Sequence, residues 1–103
     1  MNELIQRYFD LAVAPDLSPY YAQFAEDALV EDEGRERRGI EAIRAWRGEV
    51  PAVAYSIKDV APDGAGETAR VEVAGDFPGS PVGLTFHFEF TADGRIVVLT
   101  IRP

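Results

Sequence analysis

The sequence has no cysteine, a single histidine and far fewer basic than acidic residues. The lack of cysteine excludes disulfides, thiolate metal sites and cysteine nucleophiles. Ten lysine and arginine residues against 18 aspartate and glutamate residues give a net charge of −8, which disfavours nucleic acid and anionic lipid as partners. No apolar run approaches the roughly 18 residues of a membrane-spanning helix, and the N-terminus lacks the basic character of a signal peptide. We therefore expect a cytoplasmic protein.

The N-terminal half has helical periodicity. With 103 residues, of which 47% are hydrophobic and 27% charged, the chain has the size and composition of one globular domain spanning residues 1–103. Apolar side chains recur at helical spacing over residues 3–13, and again from Ser18 to about Ala25. A short strand is predicted at 28–32, and a third helix over 39–47, ended by Gly48. The arginines of the "RERR" stretch between them, flanked by acidic residues, are expected to be neutralised locally.

The C-terminal half alternates apolar and polar residues, which indicates strands. Four runs, at 53–60, 68–77, 82–90 and 95–101, are separated by turn sequences. The last separator contains Asp93-Gly94, a strong hairpin signal that predicts antiparallel pairing of the final two strands. Helices followed by an antiparallel sheet predict an α+β fold with the helices on one face.

The two final strands predict which side chains face inward. Leu84, Phe86, Phe88 and Phe90 should share the inner face, and His87 the outer one. In the last strand, alternation puts Val97, Leu99 and Ile101 on one face and Ile96, Val98 and Thr100 on the other. Since both faces are largely apolar, a homodimer through the outer sheet face is predicted.

Three stretches carry a family resemblance: "LIQRYFDLAVAPDL", "FAEDALVEDEGRERRGIEAIRAW" and "FHFEFTADGRIVVL". Together they resemble the NTF2-like superfamily, which includes SnoaL-like polyketide cyclases and ketosteroid isomerases. The resemblance implies a cone of three N-terminal helices packed on a curved mixed, mainly antiparallel sheet, with a pocket between them. It also implies a small apolar, carbonyl-containing ligand.

The resemblance implies two catalytic residues. In the isomerases, an aspartate at the position of Asp32 shuttles a proton, and a tyrosine at the position of Tyr8 donates a hydrogen bond to the resulting enolate oxygen. A carboxylate in an apolar cavity has its charged form destabilised, which suits it to proton transfer near neutral pH. The second oxyanion donor of the isomerases, a protonated acid, is replaced here by Phe86. Epoxide hydrolases of this fold use an Asp-Arg-Asp set; Asp32 could be one member, but no arginine–aspartate pair is predicted at inward strand positions.

The ligand-binding wall is predicted to consist of Phe24, Trp46, Tyr55, Phe86, Phe88 and Leu99. No cofactor is predicted, and no metal site, because the one histidine lacks clustered inward carboxylates. Asp32 has the alternative of capping the turn at Glu33-Gly34 or pairing with a nearby arginine. The domain as a whole has the alternatives of non-catalytic ligand binding and of a dimerisation scaffold whose interior Phe86, Phe88 and Trp46 fill.

Overall fold

The computed structural model describes the backbone of residues 2–103 and the side chains of residues 3–103. Helices come first and strands dominate the rest, which confirms the predicted α+β class. The elements in chain order are α1 (Asn2–Ala12), α2 (Ser18–Ala22), β1 (Phe24–Asp32), β2 (Arg35–Arg38), α3 (Ile40–Glu49), β3 (Val53–Asp63), β4 (Gly66–Gly75), β5 (Val82–Phe90) and β6 (Ile96–Arg102). None of the described helices has both the length and the apolar composition needed to span a bilayer.

The strands form one mixed sheet in the order β2-β1-β6-β5-β4-β3. Neighbouring strands are antiparallel except for β1 and β6, which run parallel. The β5–β6 hairpin is confirmed: the Thr91 amide donates to the Arg95 carbonyl at 2.8 Å, and Gly94 has a φ of 85°. Glycine tolerates this left-handed conformation, so the Asp93-Gly94 signal marks a real turn.

Two helix ends differ from the prediction. The second helix stops at Ala22 because the backbone of Phe24 pairs with Ile96 of β6 and begins β1 instead. The third helix runs through Gly48 to Glu49. It ends there because Pro51 disfavours the helical conformation of Val50, whose ψ is 129°. At both ends, something other than the spacing of apolar residues determines where the helix stops: strand pairing for α2, and Pro51 for α3.

Strand β2 was not predicted. All four of its residues are charged, and they pair antiparallel with the end of β1, where Arg35 lies opposite Asp32 and Arg37 opposite Val30. Because side chains alternate across a strand, Arg35 and Arg37 share the inner face of the sheet with Asp32 and Val30. The "RERR" stretch is therefore the edge strand of the sheet.

The core lies between α1 and the inner face of the sheet. Tyr8 and Phe9 meet the rings of Phe88 and Phe86 at centroid distances of 5.1 and 5.0 Å. The predicted inward face of β5 is confirmed, since Phe86 and Phe88 are 3% and 0% exposed and Phe88 stacks on Phe90. These edge-to-face and stacked contacts hold the aromatic rings in place. The open part of the interior lies beside them.

The predicted faces of β6 are wrong at one position. The pairing of β5 with β6 shifts register after Glu89, which pairs with Val98, to Phe90, which pairs with Ile96. The irregularity at Val97 turns Ile96 inward, where it is 1% exposed beside Leu99 at 0%. The outer face of β6 is therefore less apolar than strict alternation predicts.

Candidate active site

A cavity of about 660 Å³ opens between the helices and the inner face of the sheet. Its volume exceeds the roughly 300 Å³ that a small-molecule site needs. Side chains from α1, α2, α3 and all six strands contribute to its wall. The interior is hollow, so the alternative in which Phe86, Phe88 and Trp46 fill it is wrong.

Asp32 is on the wall of this cavity. It ends β1 on the same face as the fully buried Val30, and its side chain is half-buried. The indole N–H of Trp46 on α3 donates a hydrogen bond of 3.0 Å to its Oδ2 atom. Among the described residues, no arginine forms an ion pair with Asp32, although Arg35 is its cross-strand neighbour. The carboxylate is thus oriented by α3, with its other oxygen available to a ligand.

Tyr8 and Tyr20 form a hydroxyl pair on the same cavity. Their oxygens are 2.9 Å apart, and their side chains are 2% and 0% exposed. Two hydroxyls hold two protons, and their mutual hydrogen bond uses one of them. The second proton needs an acceptor, because a buried donor without a partner is costly. A ligand oxygen in the cavity can be that acceptor.

Burial keeps the tyrosines of the cavity protonated. It raises the pKa of Tyr8 well above the ordinary value of 10.0, and the repulsion from Tyr20 adds to this shift. Burial likewise raises the pKa of Tyr20, against the opposing effects of the hydrogen bond with Tyr8 and of Arg47. Burial also raises the pKa of Tyr55, where Arg47 opposes the shift and Asp32 adds to it. These phenols are therefore hydrogen-bond donors at neutral pH.

Arg47 on α3 is a cation that contacts this cluster. It donates a hydrogen bond of 2.6 Å to the carbonyl oxygen of Ala12 at the end of α1, and its guanidinium lies 5.4 Å from the centre of the Tyr20 ring. The first contact satisfies a terminal carbonyl of the helix, and the second is a cation–π contact. Arg47 thereby links α1, α2 and α3 at the cavity wall.

The predicted ligand-binding residues divide into two groups. Trp46, Tyr55 and Phe86 line the cavity together with Asp32 and Tyr8. The other three, Phe24, Phe88 and Leu99, are 4%, 0% and 0% exposed and are not among the described residues of its wall, because they pack in the core. The binding and catalytic roles of the first group stay predictions.

Four arginines of the cavity wall were missed: Arg35, Arg37, Arg47 and Arg102. Arg35 and Arg37 share the inner face of the sheet with Asp32 from β2. A second aspartate, which an Asp-Arg-Asp set needs, is not found among the described residues of the wall. The signal that could have revealed Arg35 and Arg37 is their spacing of two in "RERR", which is the period of a strand.

His87 lies on the outer face of the sheet, as predicted. Its Nε2 atom is 3.0 Å from Glu89 Oε2, and its Nδ1 atom is 3.2 Å from the hydroxyl of Thr68. Within the described part of the chain, no group of three or more histidine, aspartate or glutamate side chains is arranged to hold a metal ion. The single histidine thus belongs to a polar cluster outside the cavity.

Comparisons with known proteins agree with this geometry. The family model of the SnoaL-like domain matches residues 5–99. A solved structure from Sinorhizobium meliloti, described as a candidate polyketide cyclase, is 35% identical with a TM-score of 0.89, covering 99% of this chain and 95% of that one. No curated protein matches the chain.

Two further solved structures have the same fold. An NTF2-like protein of unknown function from Exiguobacterium sp. 255-15 is 25% identical with a TM-score of 0.80, and the match covers 97% of each chain. A Catenulispora acidiphila protein with a ketosteroid isomerase-like fold, solved in complex with trimethylamine, has a TM-score of 0.80 at 16% identity, covering 98% of this chain and 85% of that one. At such identity the second likeness concerns the fold alone. The three helices and six-stranded curved sheet are those of the NTF2-like cone.

Proposed function

The chain belongs to the SnoaL-like domain family, and on that premise we propose that its cavity binds a small carbonyl compound with an apolar body and moves a proton on it. The proposal rests on one observation: an oriented carboxylate and a hydroxyl pair with a spare proton line the same cavity. Asp32 stands on β1, Tyr8 and Tyr20 stand on the helices, and all three line the same cavity.

The proposed reaction is the isomerisation of a β,γ-unsaturated carbonyl compound through a dienolate. Asp32 accepts a proton from the carbon between the carbonyl group and the C=C bond; the electron pair of that C–H bond forms a new C=C bond to the carbonyl carbon, and the π pair of the carbonyl group moves to its oxygen. The spare hydroxyl proton of the Tyr8–Tyr20 pair donates a hydrogen bond to this oxygen as its negative charge develops. Asp32 then returns the proton to a second carbon, which shifts the double bond and restores both the carbonyl group and the carboxylate.

Phe86 supports a second candidate, non-catalytic binding of a similar ligand. It occupies the position at which the isomerases have a second oxyanion donor, and it supplies only an apolar ring to the wall. The loss of one such donor typically costs about 10²–10³ in rate. In this alternative, Asp32 and the tyrosines orient a ligand that leaves unchanged.

Turnover distinguishes the two candidates. Conversion of a Δ5-3-ketosteroid and of smaller β,γ-enones is followed by the absorbance of the conjugated product, with the wild type and with Asp32→Asn. We expect the substitution to reduce the rate at least about 100-fold, because the amide cannot accept the proton. Asp27→Asn is the matched control, since Asp27 is an exposed carboxylate of the same strand. Ligand binding without turnover supports the second candidate, and turnover that is indifferent to Asp32→Asn rejects the first.

The outer face of the sheet supports a proposal about assembly. Leu29, Val98 and Thr100 are half-buried residues of this face, next to the polar cluster of His87. We propose that a second copy of the chain covers this face. Light scattering at micromolar concentration should then give about twice the mass of a single chain, which is 11.3 kDa. A mass near that of one chain rejects the proposal.

A further inference from the structure

The charge of the cavity wall differs from that of the whole protein. The chain has a net charge of −8. The wall, in contrast, has four arginines against the three carboxylates of Asp32, Glu33 and Glu49, and Glu31 outside the wall pairs with Arg102, so the charges around the cavity balance. A cleft with apolar walls concentrates the field of the charges that line it. The cavity therefore does not share the excess of negative charge that the whole protein has.

Strand β2 accounts for half of these arginines. Its register with β1 directs Arg35 and Arg37 into the cone, while Glu36 and Arg38 point away from it. Charged residues on an edge strand, including ones that point inward, help to prevent pairing with other chains. The contacts of each arginine therefore decide whether it is also free to bind a ligand.

The four arginines differ in the hydrogen bonds and ring contacts that they make with other residues. Arg102 makes two hydrogen bonds to Glu31, at 2.9 and 3.1 Å, and Arg47 is engaged with Ala12 and Tyr20. Arg37 is different. Its Nε atom is buried and has no hydrogen-bond partner among the described residues.

The remaining contact of Arg37 is weak. The guanidinium is 3.7 Å from a carboxylate oxygen of Glu49, whose side chain is 73% exposed, whereas that of Arg37 is 24% exposed. A buried N–H group without an acceptor is costly, and a planar guanidinium can bind a carboxylate through two parallel hydrogen bonds. An anionic group in the cavity would satisfy this donor.

We propose that the ligand of the cavity is an organic anion, an apolar body with one carboxylate or a similar acidic group, and that Arg37 binds its charged end. The inference rests on the proposed function and specifies its ligand class. Arg35 lies opposite Asp32, and Arg37 is two residues further along β2, a distance of about 7 Å at 3.3 Å per residue. One small molecule can therefore bind Arg37 through its acidic group and present a carbon to Asp32.

A matched pair of fluorescent dyes tests the inference. 8-Anilino-1-naphthalenesulfonate is an anion, and N-phenyl-1-naphthylamine has the same ring system without the sulfonate. Both are titrated against the wild type, and each is used to displace the other. We expect the anionic dye to bind about tenfold more tightly or better, and the two dyes to compete for one site.

Variants assign the preference to a residue. Arg37→Met should lower affinity for the anionic dye about tenfold or more and leave the neutral dye nearly unchanged, and Arg37→Lys should recover part of the loss because it keeps the charge. Arg38→Met is the control, since it removes the same charge from the outer face of the same strand. Circular dichroism checks that each variant is folded.

The outcomes separate this inference from the proposed function. If the neutral dye binds as tightly as the anionic one, or if Arg37→Met weakens both dyes or neither, the cavity binds small molecules without the proposed charge preference and the inference is wrong. If Arg38→Met has the same effect as Arg37→Met, the preference comes from overall charge, which also rejects the role of Arg37. If neither dye binds to the wild type, the proposed function fails and the inference fails with it.

Discussion

The hydroxyl pair of Tyr8 and Tyr20 allows a prediction that requires no ligand. The perturbation is the removal of either hydroxyl, or of both, in Tyr8→Phe, Tyr20→Phe and the double variant. Each substitution keeps the aromatic ring, so the ring contacts of both residues with Phe24 remain. The three variants and the wild type form a double-mutant cycle that isolates the interaction between the two hydroxyls.

The magnitude follows from burial. Tyr8 and Tyr20 are 2% and 0% exposed, so a hydroxyl that loses its partner has little access to water. Leaving a buried polar group unsatisfied costs about 1–3 kcal/mol, whereas removing both partners of a hydrogen bond is nearly neutral. Each single variant should therefore lose about 1–3 kcal/mol of unfolding free energy, and the double variant no more than either single one.

Urea denaturation measures the free energies of unfolding, and thermal melts provide a second measurement. For a chain of about 100 residues, 1 kcal/mol corresponds to a change of about 4–8 °C in Tm. The expected signature is non-additivity: the double variant melts close to, or above, the single ones. If the two losses simply add, the hydroxyls of Tyr8 and Tyr20 are not coupled, and the argument for a spare proton directed at the cavity is wrong.

Two further predictions concern backbone packing and pH. Gly66→Ala should destabilise the fold by at least about 3 kcal/mol, because the added Cβ atom would overlap the carbonyl oxygen of Phe88. Gly83 has open space around it, so Gly83→Ala should change stability by less than about 1 kcal/mol in the same urea titration. The pKa of Tyr8 and that of Tyr20 are raised in the folded state, so only the unfolded chain loses these protons just above pH 10.0. The contribution of these two tyrosines to stability should be constant below that pH. Above it, stability should fall by up to about 1.4 kcal/mol per pH unit for each tyrosine, and the double phenylalanine variant should flatten this decline; equal slopes would contradict it.

The parts of the fold that could be predicted are those with a local cause. The inward face of β5 follows from strict alternation in "LTFHFEF", and the turn before β6 follows from the conformational freedom of Gly94. The inward position of Ile96 could not be predicted from alternation, because the pairing partner of β6 imposes the register shift. Alternation predicts the two faces of a strand as long as the strand keeps a regular register with its neighbour.

The residues of the site could be predicted from the sequence better than the contacts between them. The positions of Asp32 and Tyr8 on one cavity follow from the resemblance. Their partners do not: Trp46 is 14 residues from Asp32 and on a helix, and Tyr20 is 12 residues from Tyr8 across a chain reversal. A hydrogen bond between side chains of different elements depends on how these elements pack, and no local pattern encodes that.

The charged side chains on the inner face of β2 explain why the cone is hollow next to this strand. A core position next to Val30 would normally be apolar, because an unpaired charge in a packed interior is costly. Arg35, Arg37 and Asp32 can all face inward here only because the space before them is open to solvent or to a polar ligand. The spacing of two between Arg35 and Arg37 is thus the sequence feature that accompanies this open space. Replacing them with apolar residues would favour closing of the interior, which is the solid scaffold that this chain does not form.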